Sequence, residues 1–141
     1  MFKLAITTPI SGLAEALKAL NKELDTTRIE DEASAMLLNR LRTNFLAERT
    51  PDGVKWPESK AAKKRRASGG TGTLFASGTL FRSIQLTRFG SRRAIGTDVS
   101  YARKHNDGLD GMVKRQFLGV TTQDGLDYEK ILLKRIQRAI G

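Results

Sequence analysis

The only histidine, His105, lies two residues before Asp107, with the hydroxyls of Ser83 and Ser100 upstream. These are the side-chain types of a nucleophilic triad, but geometry defines a triad, and nearness in the chain does not supply it. No paired-carboxylate motif stands out. A lone histidine without such partners is expected to pack or hydrogen-bond at the end of a short helix. Asp107, Asp110 and Asp124 lack the alternating ligands of a calcium loop. The chain has no cysteine, which excludes disulfides and thiolate metal sites. No catalytic residue, metal or cofactor follows from these residues, and the chain is not expected to be an enzyme.

Two further stretches invite a ligand. Gly69-Gly70-Thr71-Gly72-Thr73 is rich in glycine, but it lacks the Gly-Lys-Ser/Thr ending of a phosphate loop and follows no apolar strand. Its composition is that of a flexible linker. Lys63-Lys64-Arg65-Arg66, with Lys60 just before, is a basic run. Such a run is a solvated loop, a dock for an acidic protein surface, or a sequence-blind contact to nucleic-acid phosphates. Aromatic platforms for single-strand stacking are missing beside it, since Trp56 and Phe75 stand several residues away. Trp56, the only tryptophan, is either a loop anchor packed on the core or an interface anchor. The candidate partner contacts are Trp56, Lys60, Lys63, Lys64, Arg65 and Arg66.

At 141 residues the chain has the length of one domain and can bury a core without staples. The net charge of +10 is unevenly spread: residues 1–48 hold 6 basic and 7 acidic side chains, residues 49–115 hold 15 and 5, and residues 116–141 hold 4 and 3. The middle segment therefore carries the excess and favours an acidic partner, whether protein or nucleic acid. No apolar run reaches membrane-spanning length, and residues 1–9 lack the apolar core of a secretory signal. A soluble, cytosolic protein without a membrane association is expected.

The elements that must carry these residues follow from periodicity. Residues 1–7 suit a short strand or arm. Thr8-Pro9, or Ser11, opens a helix whose Leu13, Leu17, Leu20 and Leu24 form one stripe. Thr27 to Glu30 fits a capping box for a second helix to about Glu48, with Ile29, Ala33, Leu37, Leu41 and Phe45 as its seam, widened by Met36 and Leu38. Pro51-Asp52-Gly53 is turn chemistry. Residues 74–81 suit a turn or short helix, 83–89 and 93–97 a hairpin, 101–106 a short helix stopped by Gly108, and 113–120 a further strand. Thr122 or Asp124 then caps a last helix with Leu126, Leu132, Leu133, Ile136 and Ile140 inward. The expectation is one α+β domain over 1–141: a helical hairpin (1–48), a mobile basic loop (49–73), a β-rich core (74–121) and a C-terminal helix (122–141), with the helices packed on a small, mostly antiparallel sheet.

From Pro51 onward a series of short fragments follows in order: Pro51-x-Gly53-x-x-Trp56, then Leu74-Phe75-Ala76-Ser77-Gly78-Thr79-Leu80-Phe81-Arg82-Ser83-Ile84, Ile95-Gly96-Thr97, Tyr101-Ala102, His105-Asn106-Asp107-Gly108 and Phe117-Leu118-Gly119. In this order and spacing they resemble the phage virion-morphogenesis family, the tail-completion proteins of contractile-tailed phages and Mu-like prophages, over roughly residues 10–135. One departure is Arg115-Gln116-Phe117, where family members often carry proline between arginine and phenylalanine. Gly53, Gly78, Gly96, Gly108 and Gly119 are expected at turns or close backbone approaches, and Tyr101, Phe117 and Leu118 beneath the hairpin. The resemblance implies a structural virion protein of the tail or neck, made in the host cytoplasm. Several copies, in rings commonly of six, would bind phage tail or neck proteins and complete the tail or join it to the head. The polar, basic composition of the loop between Lys55 and Gly72 adds the expectation that it orders on contact with a neighbouring ring. The competing expectation is a small basic nucleic-acid-binding protein, contacting DNA through that loop.

Overall fold

The computed structural model describes residues 18–22, 24–90 and 92–140. The expected strand or arm at 1–7 and most of the first helix, with Leu13 and Leu17, lie outside these residues. Residues 18–22 are helical, and the N–H of Leu24 donates to the carbonyl of Leu20 at 2.8 Å.

Helix α1 spans Thr26–Leu46. Its cap is Asp25, whose Oδ1 accepts the N–H of Thr27 at 3.0 Å, so the capping box expected at Thr27–Glu30 does not form: Thr27 is already inside the first turn. Ile29, Leu41 and Phe45 are buried, Ala33 and Leu37 half-buried, as their spacing requires, whereas Met36 is exposed. The helix closes with a Schellman pair, Glu48 N–H to Phe45 O at 3.0 Å and Arg49 N–H to Asn44 O at 2.8 Å. The position usually taken by glycine is Glu48, at φ +57°, a left-handed conformation that costs a side chain about 1–2 kcal/mol.

Residues 49–73 are not the structureless loop expected of their composition. Arg49 and Lys55 pair across the Pro51-Asp52-Gly53 turn, and α2 then runs over Lys60–Ala67. Ser59 caps it, Oγ accepting the N–H of Ala62 at 3.0 Å, and Gly69-Gly70 end it, with Gly70 N–H on Arg65 O at 2.8 Å. One fully buried alanine, Ala62, docks the helix, which an average over five cations conceals. The segment thus carries a helix in the chain by itself.

Next come α3 (Thr79–Ser83), β1 (Gln85–Phe89), β2 (Arg92–Gly96) and α4 (Ala102–Asp107). The two strands form one antiparallel hairpin in which Gln85 pairs with Gly96 and Phe89 with Arg92. The region 74–121 is thus less β-rich than expected, and the segment expected as a strand at 113–120 pairs with no strand among the described residues. Its backbone is held by a side chain instead of a ladder: Asn106 Oδ1 accepts from Phe117 N at 3.0 Å and Leu118 N at 2.9 Å.

Helix α5 covers Thr122–Ile140. The cap is Thr121, not Thr122. Asp124 N–H reaches Thr121 Oγ1 at 3.3 Å, and Asp124 Oδ2 accepts the Thr121 N–H at 2.7 Å, a reciprocal box with aspartate in the usual glutamate place. Ile131 is its buried residue. Leu126, Leu133 and Ile140, expected inward, are exposed.

Helix α1 packs against both hairpin strands and against α5. The core beside it is an aromatic cluster of Phe45, Trp56 and Phe117 with Leu80, Ile84 and Ala102. Phe45 meets Trp56 edge-on at 5.2 Å and Phe117 at 5.6 Å, contacts worth about 0.5–1.5 kcal/mol each beyond area burial. A helical face and a small antiparallel sheet around one core make this an α+β fold.

Candidate functional site

The basic run divides by helix geometry. At about 100° per residue, Lys60, Lys63 and Lys64 share the face of α2 opposite the buried Ala62, and all three are exposed. None forms an ion pair among the described residues. Arg65 and Arg66 flank Ala62 and turn back to the protein. Arg65 Nη2 donates to Gly72 O at 2.6 Å. Arg66 joins Glu58, at 2.9 Å, to Glu48. Of the six candidate partner contacts, the three lysines therefore present free charge, and the two arginines hold local structure.

Trp56 is not an interface anchor on this surface. It is 4 % exposed, and its Nε1–H donates to the carbonyl of Gln116 at 2.8 Å. The turn before it lets the indole fold inward while its one polar atom finds the segment at 113–120. The Gln116 side chain adds a bond of its own to Leu118 O at 3.0 Å.

Glu48 is a site residue that sequence reasoning missed. Burial pushes its carboxyl up, but the backbone and hydroxyl of Thr73 and the Arg66 guanidinium outweigh this and hold it below the ordinary value. The Thr73 N–H lies 2.5 Å from its Oε1. The carboxylate thus pins the glycine-rich stretch to the end of α1, which explains a charged residue in a left-handed position. Its signal was the negative charge just before a strongly basic segment.

The residues of the triad reading are not brought together. Ser83 Oγ bonds Leu80 O at 2.6 Å and Thr97 Oγ1 at 2.6 Å. Asp107 is held by Asn106 at 2.8 Å and Arg103 at 3.4 Å. His105 instead meets Tyr101 edge-on at 6.0 Å. Tyr101 is exposed, not beneath the hairpin.

The motif positions have local explanations. Gly78 caps α3 at φ +77°, and Gly108 ends α4 at φ +71°, where an added Cβ would lie 2.8 Å from Lys114 Cβ. Leu80 and Phe117 are core residues and Pro51 is buried, its carbonyl accepting from Arg40 and Asn44. Gly53 turns at φ +87°, and Gly119 sits close against Gln116 and Pro51. Gly96 needs neither a special backbone angle nor close space, contrary to expectation.

These positions lie at the spacing that first suggested a family, and a model of the phage virion morphogenesis family matches residues 8–137. The chain belongs to that family. No curated protein and no solved structure matches it. Membership gives this protein a role in phage morphogenesis and a virion-associated context. Among the described residues no helix is long and apolar enough to cross a membrane. On α5, Leu126, Leu133 and Ile140 recur every seven residues and stay exposed, Leu133 by 55 % and Ile140 by 71 %. Between α1 and α5 runs a groove of about 440 Å³ floored by Ala33, Leu37 and Ile131.

Proposed function

We propose that this protein acts as a structural, non-catalytic part of the virion in tail completion or head–tail joining, several copies binding phage tail or neck proteins as a ring. The observation that carries the reading is the apolar line of Leu126, Leu133 and Ile140 on α5. Seven-residue spacing keeps them on one face, an apolar line that a neighbouring chain would cover. A ring requires that face to meet a different patch on the next copy. The unpaired lysines of α2 supply a second surface, suited to an acidic neighbour. The protein would meet these partners in the host cytoplasm and then reside in the tail or neck.

Native mass spectrometry of the purified protein, alone and with candidate tail or neck proteins, tests the reading. A discrete closed oligomer, dissociated by Leu133→Asp, supports it. A monomer at all concentrations that also ignores tail and neck proteins overturns it.

A second reading rests on Lys60, Lys63 and Lys64, three exposed cations on one face: contact with nucleic-acid phosphates. Duplex binding whose affinity falls with salt with a log–log slope of about −0.9 per phosphate neutralised, reduced in Lys60, Lys63 and Lys64→Gln variants, would favour it.

A further inference from the structure

We propose that the cavity between α2, the turn leading into α3, and α4 binds a small oxyanion, a carboxylate or a phosphate group. Its volume is about 330 Å³, and Ser59, Arg65, Thr79, Tyr101, His105 and Arg115 line it. Three nitrogen-bearing side chains meet there, and no carboxylate is among the lining residues.

Their hydrogen bonding is incomplete. Arg115 is 8 % exposed. Its Nε donates to Pro57 O at 2.7 Å, but its terminal nitrogens make no hydrogen bond to a described residue. Arg65 gives one terminal nitrogen to Gly72 O, and its Nε is buried without a partner. Nδ1 of His105 is also buried without a partner. Unlike those two sealed atoms, the terminal nitrogens of Arg115 are not fully closed off, and a guanidinium nine-tenths buried without an anion is costly. A planar carboxylate or a tetrahedral phosphate matches the forked terminal nitrogens of Arg115, with the Arg65 charge lining the same cavity. Ser59, Thr79 and Tyr101 line the same cavity, and their hydroxyls can complete the shell.

Burial and then the Arg115 charge lower the pKa of His105 and favour neutral imidazole. The groups facing it are Arg115 and Arg65 with Tyr101. An oxyanion among them reverses the balance, favouring imidazolium and adding a donor.

Because His105 is the only histidine, its ring is a built-in reporter. Imidazole NMR resonances are followed against pH in sodium chloride, sulfate and acetate at equal ionic strength. Sulfate stands in for a phosphate group. Saturable elevation of the His105 midpoint by about one pH unit in sulfate identifies a phosphate-type site, in acetate a carboxylate-type site, and in both a general one. Arg65→Gln abolishes the elevation, and Lys114→Gln, outside the cavity, retains it. The same midpoint in all three salts overturns the proposal, and this wild-type comparison stands even where Arg65→Gln fails to fold.

Discussion

Arg40 and Asp124, 84 residues apart, meet in a two-pronged pair, Nε to Oδ1 at 2.7 Å and Nη2 to Oδ2 at 2.5 Å. The same guanidinium donates to Pro51 O, so one side chain ties the middle of α1 to the first turn of α5 and to the turn after α1. Asp124 in turn completes the Thr121 cap. Burial pushes its carboxyl up, but Thr121 and Arg40 outweigh this and hold it below its ordinary value. Arg40→Ala leaves a largely buried carboxylate unpaired and should cost about 3 kcal/mol, measured by urea denaturation. Arg40→Lys should recover only part of this, because a point charge cannot fork.

Asn106 holds two backbone N–H groups that no strand satisfies. Asn106→Ala should destabilise by about 1–3 kcal/mol. Hydrogen exchange at Phe117 and Leu118 should speed up well before that of α1. Equal acceleration throughout would instead indicate general loosening.

Acid should unfold the protein through Glu48 and Asp124. Both carboxyls have folded-state pKa values below their ordinary ones. Their stabilisation is therefore complete above the unfolded value, about 4, and is lost as pH falls through the lower folded value. His105, also depressed, removes a smaller amount earlier, as pH falls from about 6.5 toward its folded value. Thermal melts between pH 7 and 3 should show both steps. Glu48→Gln should be less stable at pH 7 and shallower in the acid step, and His105→Gln should lack only the earlier one.

The seam of α1, the hairpin, the helix stopped by Gly108 and the final helix were legible because period and turn residues agree there. Other features were hidden for identifiable reasons. The helix at Lys60–Ala67 depends on one buried alanine. The Glu48 closure puts a charged residue where glycine is usual, and the segment at 113–120 reads as a candidate strand yet is fixed by an amide side chain. The inward face of α5 was misjudged because its apolar residues cover more of the helix than α1 contacts. That surplus, Leu126, Leu133 and Ile140, is what the functional reading uses. Among the candidate contacts, lysines could not be told from arginines by charge; their positions around α2 relative to the buried Ala62 set the arginines beside the protein and the lysines opposite it.

The exposed face of α2 should be dispensable for folding. Lys60, Lys63 and Lys64 changed together to glutamine should leave the urea midpoint within about 0.5 kcal/mol of wild type, as for most surface changes. Incorporation into particles, measured by immunoblot of purified virions, should fall if this face meets an acidic partner.

The central claim is a joining or completion role in the virion, and disruption of this gene in its phage or prophage tests it most directly, with the lysate imaged by negative-stain electron microscopy. The account predicts filled heads beside separate tails and no joined particles, restored by the wild-type gene supplied in trans. Normal joined virions from the disrupted phage would contradict it.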